Sequence, residues 1–514
     1  MKSISSLIIG MMCFFLFNHI KKILRRRKKM IYPNLKTFEK VSKGYNMSTI
    51  YEEIQGDMET PITLFKKLCK ESNCYLLESV ERSEKKGRYS YVGRDPFMTI
   101  KGHGDEVEIF QNNKISTEKG IPLEIVKSIM KAYKTPFMDG MPDFSGGAVG
   151  FIGYDTIRNY ELLPNVNEED IKIPEIHLLL TKEVIVYDHL KHKIIILVNI
   201  VLEGDNSKSY EAGVKRLKEI KKQIFQTPIP EEVFSKNAKE KIKYSSNETK
   251  ESFMGKVLRA KEYIQNGDIF QVVLSQRLQV EVKTSPFQIY RNLRSISPSP
   301  YMFYINFEEY QVVGASPELL VKVKGSKVET CPIAGTRPRG KTSQEDERLA
   351  KELLEDEKER AEHLMLVDLA RNDIGKIANF GTVELKEYME VYYYSHVMHI
   401  VSIVTGSLQE KKDMYDALIS CLPAGTLSGA PKIRAMEIID ELENKKRGIY
   451  GGAVGYFGFD GNMDMCIAIR TLLIKDRIAY LQAGAGIVAD SNPEAEYKET
   501  LRKLDALVET IKIA

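Results

Sequence analysis

Apolar positions along this chain follow two rhythms, and the switch between them divides it. From Met47 to about residue 225, helical spacing mixes with β-rich runs: Glu183–Tyr187 and the nearly continuous Lys193–Val201 have the pattern of strands with one or both faces covered. Residues 47–225 are therefore predicted to form an α+β module. Gln226-Thr-Pro-Ile-Pro-Glu-Glu232 and the polar stretch to Lys250 lose all periodicity and gather Pro and charge, so 226–250 reads as a linker. Beyond it, 251–514 carries predicted strands at Val272–Val280, Met302–Phe307, Val397–Gly406, Gly451–Phe459 and Ile467–Ile474, alternating with helices over 343–373 and 493–512. No period of 20 to 50 residues recurs, which excludes a solenoid or a propeller.

The first thirty residues are a separate matter. Leu7 to Phe17 is an apolar run shorter than the roughly 20 residues a spanning helix needs, and no small-x-small cleavage site comes after it. The basic cluster beyond it would hold the rest of the chain in the cytoplasm if the run inserted at all. Two readings stay open: an over-called start, with translation beginning at Met30 or Met47, or a weak anchor. Secretion and further membrane contact are not expected.

Composition changes the picture at three points. With 514 residues, 43% hydrophobic and 28% charged, the chain can bury a large core and is not a disordered protein. Eight of its 75 Lys and Arg fall within residues 1–30, so the remaining 67 face 71 acids; a nucleic-acid-binding body is excluded by the lack of a basic excess. The six cysteines form no CxxC pair and have no His at zinc spacing, so neither a disulfide framework nor structural zinc is expected. Trp is absent, either through compositional drift or because the protein must be made when tryptophan is scarce.

The candidate chemistry lies in the second half. Glu359 and Glu362, and separately Glu496 and Glu499, sit three residues apart in helical segments, which places each pair on one helix face. Either pair alone is an ordinary solvated face. Converging, the two would repel unless a divalent cation lay between them, and such oxygen donors suit Mg²⁺. Before the second pair runs Ala483-Gly-Ala-Gly-Ile-Val-Ala-Asp490, whose glycines let backbone N–H groups approach an anion. It matches neither dinucleotide nor Walker spacing. Arg470 is a candidate carboxylate fork. His399 lies in a β-like run, where a histidine is more often structural than catalytic. No nucleophile elbow is present.

Four segments, Cys331-Pro-Ile-Ala-Gly-Thr-Arg-Pro-Arg-Gly340, Ala361-Glu-His-Leu-Met-Leu-Val-Asp-Leu-Ala-Arg-Asn-Asp373, Leu422-Pro-Ala-Gly-Thr-Leu-Ser-Gly-Ala-Pro-Lys432 and Gln482-Ala-Gly-Ala-Gly-Ile-Val-Ala-Asp490, resemble the chorismate-utilising enzymes in order and spacing. The resemblance implies an α+β fold of two packed, mainly antiparallel β-sheets with helices outside. Within the family it is nearest to the large subunits of anthranilate synthases. Gln271 stands where isochorismate- and salicylate-forming relatives carry a lysine base, and Ala334 where aminodeoxychorismate synthases carry a nucleophilic lysine.

The same resemblance implies roles for individual residues. Chorismate would place one carboxylate on Mg²⁺ held by Glu362 and Glu499, with Glu496 supporting. The other would meet Arg470, Tyr450 and the backbone of Gly484, Ala485 and Gly486, with Gly335, Thr336 and Thr426 completing the pocket. Glu359 would act as general acid and His399 would assist loss of pyruvate. Leu76-Leu-Glu-Ser79 and Pro298-Ser-Pro-Tyr-Met302 resemble the two segments that bind feedback tryptophan, through Ser79, Pro300, Tyr301 and Met302. This makes 47–225 the regulatory module and 251–514 the catalytic domain. Ser297 replaces the Asn common at that place. A separate glutamine amidotransferase subunit would supply ammonia, giving a cytoplasmic heterotetramer. The rivals are another chorismate enzyme, a catalytically silent tryptophan sensor, and a membrane-anchored structural protein resting on residues 4–29 alone.

Overall fold

The computed structural model describes residues 31–70, 72–79, 87–164, 166–202, 204–229, 242–394 and 397–513. The expected tail 1–30, and residues 230–241 of the expected linker, lie outside the described residues. Two twelve-stranded sheets make up the body, and their strands pair antiparallel.

The first sheet runs from Met47–Gln55 through Lys193–Val201, Glu183–Asp188, Tyr89–Gly93, Cys74–Glu78, Tyr301–Asn306, Tyr310–Ser316, Thr471–Lys475, Ile478–Ile487 and Gln271–Glu281 to Tyr244–Ser246. The second runs from Ile333–Pro338 through Val397–Ser407, Lys327–Thr330, Leu319–Lys324, Met463–Ile467, Ala453–Gly458, Gly147–Ile152, Ile176–Thr181, Met98–His103 and Glu106–Gln111 to Lys114–Lys119. Strands from both sides of 226–250 thus share both sheets.

Strand Lys193–Val201 shows why its sequence is apolar almost throughout. Ile195 and Leu197 face the second sheet in one core, with Val149, Phe151, Leu179 and Val454. Ile194, Ile196, Val198 and Ile200 face outward into another, under helix Asn206–Gln226. A strand covered on both faces loses the apolar–polar alternation of a half-exposed one. Helices Glu357–Gly375 and Met414–Cys421 cover the second sheet in the same manner.

Two expected elements are each split in two, for a local reason. The helix expected over 343–373 is two, Ser343–Glu355 and Glu357–Gly375, because Asp356 ends the first and caps the second, its carboxylate accepting from the N–H groups of Lys358 and Glu359. The strand expected at Ile467–Ile474 is also two, Met463–Ile467 in the second sheet and Thr471–Lys475 in the first. Arg470 is therefore not on a strand: it sits where the chain crosses between sheets, at φ +48°, a left-handed conformation that non-glycine residues rarely adopt. Apolar residues on either side disguise the crossing as one continuous run. Among the described residues no helix is long and apolar enough to cross a membrane.

Candidate functional site

The expected site residues come from eight separate segments. Gly335 and Thr336 lie on Ile333–Pro338 beside His399 of the neighbouring strand. The Gly335 carbonyl accepts from His399 Nδ1 at 2.7 Å, and Thr336 Oγ1 is 3.2 Å from the same nitrogen. This contact places the ring proton on Nδ1 and leaves Nε2 an acceptor. Burial pushes the imidazole below its ordinary value, partly offset by that carbonyl, so it is neutral at pH 7. Gly335 has φ +66°, and a Cβ there would come within 3.2 Å of Glu359 Oε2. Glu359 thus lies against this strand, 3.4 Å from the Arg337 guanidinium.

One turn along the same helix, Glu362 is pushed above the usual carboxylate range by burial and then by the charge of Glu359. Gln271 Nε2 donates to it at 3.4 Å, while the other amide atom, Gln271 Oε1, is buried with no partner. On the second acidic helix, Pro493–Lys512, Glu499 accepts from Arg502 at 2.6 Å and lies 3.6 Å from Lys503. Lys503 Nζ also donates to the Gly484 carbonyl at 3.0 Å, and its field lowers Glu362 and Glu318. One lysine therefore faces acids of both helices. Among the described residues no three His, Cys, Asp or Glu side chains converge as a ready metal cluster. The hard oxygen donors and the half-buried, mutually repelling Glu359 and Glu362 nevertheless fit a divalent cation, which would relieve that repulsion.

The glycine cradle belongs to strand Ile478–Ile487, whose far end pairs on one side only. Leu472 to Lys475 cover residues 478–481, whereas Gln271–Glu281 runs along the whole strand. Ala485 is buried at the core, while Gly484 and Gly486 take the other face. A Cβ on Gly484 would lie 2.8 Å from both the Leu274 carbonyl and the Tyr450 hydroxyl; on Gly486 it would lie 2.6 Å from Gln271 Nε2. Tyr450 is buried at this wall, and burial raises its phenol further.

Arg470 is exposed to solvent yet pressed by surrounding protein, which lowers its guanidinium, with Glu318 opposing. The two observations agree if the side chain lines a concave cleft. No described residue makes a hydrogen bond or ion pair with that guanidinium, which leaves its fork available to an anion. Thr426, in the turn Gly425–Leu427, donates to Glu318 Oε1 at 3.0 Å. Glu318 is 9% exposed, and burial pushes its carboxyl up to about 7, against the pull of Thr426, Arg470 and Lys503.

Sequence reasoning missed Glu318 and Lys503. Glu318 comes after Ala315-Ser-Pro without any periodic or paired-acid signal, and only the fold brings it to Thr426 across 108 residues. A cavity of about 680 Å³ is lined by Tyr450 and Gln482 but by none of Glu359, Glu362, Glu496 and Glu499. The expected inhibitor segments also meet: Met302 pairs with Glu78, which sets Ser79 beside Tyr301 and Pro300. The Tyr301 hydroxyl donates to Asp464 at 3.1 Å.

Residues 72–509 match the chorismate binding enzyme family. Anthranilate synthase component 1 of Acetivibrio thermocellus is 54% identical over 94% of this chain and 99% of its own length, and that of Aquifex aeolicus is 47% identical over 94% and 98%. The solved anthranilate synthase component I from Streptococcus pneumoniae superposes with a TM-score of 0.74 at 40% identity, covering 88% of this chain and 98% of that one. The menaquinone-specific isochorismate synthase of Escherichia coli, at 17% identity and a TM-score of 0.68, shares the fold. The chain therefore belongs to the chorismate-binding enzymes, and among them to the anthranilate synthase component I chains.

Proposed function

We propose that this chain is the large, chorismate-converting subunit of an anthranilate synthase, a cytoplasmic, Mg²⁺-dependent lyase that turns chorismate and ammonia into anthranilate, pyruvate and water. A partner glutamine amidotransferase supplies the ammonia, and tryptophan inhibits through Ser79, Pro300, Tyr301 and Met302. The observation that carries the reading is the Arg470 guanidinium, which no described residue pairs with, facing Glu318, a buried carboxyl at about 7: an anion fork and a proton donor in one cleft.

Arg470 binds one substrate carboxylate, helped by Tyr450 and the open edge at Gly484–Gly486, and Thr336 closes the pocket beside His399. Glu362 and Glu499 would hold Mg²⁺, with Glu496 supporting; when bound, the ion would supply positive charge for the other carboxylate. Lys503 shares that work. Fixing a dianion this way supplies orientation and electrostatic stabilisation together.

Ammonia attacks C2 and the C4 hydroxyl departs, taking a proton. We assign that proton to Glu318 rather than to Glu359, because a carboxyl at about 7 is still about half protonated at neutral pH, whereas Glu359 faces the Arg337 guanidinium. Gln271 Oε1 offers an acceptor to an N–H of the nucleophile but no base, and Ala334 offers neither charge nor nucleophile. Both suit ammonia, which needs no activation. His399, neutral with Nε2 open, takes the C2 proton as pyruvate leaves and the ring aromatises.

The test is anthranilate fluorescence from purified protein with chorismate, Mg²⁺ and excess ammonium near neutral pH, with and without tryptophan. Product suppressed by tryptophan is expected. Tryptophan binding without product under any condition would sink the catalytic reading.

A further inference from the structure

We infer that the buried Glu443 and Arg447 form the pair that positions Thr426, Tyr450 and the glycine cradle relative to one another; the inference rests on the proposed function. Arg447 is 3% exposed and Glu443 7%. Arg447 Nε and Nη2 donate to Glu443 at 2.9 and 2.6 Å. Nη1 donates to the Leu427 carbonyl at 2.6 Å, and Nη2 also donates to the Val273 carbonyl at 2.7 Å. The guanidinium carbon lies 4.8 Å from the Tyr154 ring centre and 5.6 Å from that of Tyr450.

These partners are not scattered. Leu427 is the next residue after Thr426 in its turn, and Val273 pairs with Gly486. Glu443 Oε1 accepts from the Ser275 N–H at 2.9 Å and its hydroxyl at 2.8 Å; Ser275 pairs with Gly484, and its hydroxyl accepts from Gln482 at 2.8 Å. One buried ion pair thus joins the turn of the Glu318 partner, the Tyr450 wall and both strands of the cradle.

Stability alone does not account for it, since the desolvation of two buried charges cancels much of their attraction and well-packed apolar residues often serve as well. What a planar five-donor fork does, and an apolar pair or a lysine cannot, is fix two carbonyls and a carboxylate at set angles simultaneously.

The experiment compares wild type with Arg447→Lys and with the double variant Glu443→Leu/Arg447→Met, reading KM for chorismate, kcat, thermal midpoint and the pH profile. In the double variant the midpoint should stay within a few degrees or rise while kcat/KM falls at least a hundredfold. Arg447→Lys should raise KM about tenfold and lower kcat. The limb near pH 7 should move upward in both, because a displaced Thr426 no longer holds Glu318 down, with Arg470 and Lys503 the remaining charges facing it. Either variant folded with wild-type kcat/KM overturns the inference. Should wild type itself make no anthranilate, the functional reading fails separately, and calorimetric binding of chorismate decides the pair: weaker binding in both variants supports it, and equal affinity overturns it.

Discussion

Thr426 donates its hydroxyl to Glu318 at 3.0 Å, and among the described residues that bond is the one hydrogen bond opposing the burial that lifts the carboxyl to about 7. Glu318→Gln keeps the volume and removes the proton. We expect kcat to fall by 10² to 10³, the range for loss of general acid catalysis, with KM changed less than threefold. In wild type, kcat should decline as pH rises through about 7. The Glu318→Gln variant should lack that limb, and an intact limb in its steady-state profile would refute the assignment.

The same residue has a stability signature. Its folded carboxyl titrates near 7 and its ordinary value is 4.5, so between these pH values the native state holds the extra proton and stability falls as pH rises. The contribution is fully present below about 4.5 and lost above about 7. Glu318→Gln should therefore be more stable than wild type at pH 8 by about 2 to 3 kcal/mol, and indistinguishable near pH 4.5, as read from urea midpoints.

Gly484 and Gly486 differ in what crowds them. A methyl on Gly484 meets the Leu274 carbonyl and the Tyr450 hydroxyl at 2.8 Å, whereas on Gly486 it meets the end of a flexible glutamine. Gly484→Ala should raise KM for chorismate by more than tenfold. Gly486→Ala should do less, and the reverse order in KM would show that the cradle is not where the substrate lies.

Arg470→Lys replaces a bidentate fork with a point charge. KM for chorismate should rise about tenfold with kcat changed less. Lysine must also accept the left-handed backbone that Arg470 occupies at φ +48°, so folding is checked by circular dichroism before the kinetics are compared.

Chelation should abolish turnover reversibly, with Mg²⁺ restoring it. Glu362→Gln should raise the Mg²⁺ concentration giving half activity by at least tenfold. It should also stabilise the chelated protein, because it removes a half-buried carboxylate raised by desolvation and by Glu359. A Mg²⁺ requirement unchanged in Glu362→Gln would place the ion elsewhere.

Strands are legible in the sequence wherever one apolar run belongs to one sheet. Lys193–Val201 is bounded to the residue, and Val272–Val280 to within one. The reading fails at Arg470, where apolar residues of two sheets abut without a polar break, and at Asp356, whose capping role resembles an ordinary charge in an acidic helix. The site divides similarly. Residues inside contiguous motifs, such as Gly335, Thr426 and Gly484, are found by their motifs. Glu318 and Lys503 are not, since a buried acid and an inward lysine acquire their meaning only from neighbours more than a hundred residues away or across a strand edge.

Because Glu78 pairs with Met302 and Gly147–Ile152 pairs with Ala453–Gly458, neither half of the chain owns a finished sheet. Cut at 226–250, each fragment would carry open strand edges matched only by the other. Loop closure over such separations is slow, so the late, rate-limiting event in folding should be the mutual docking of the two halves, and separately expressed fragments should recover one enzyme when mixed rather than act as independent parts.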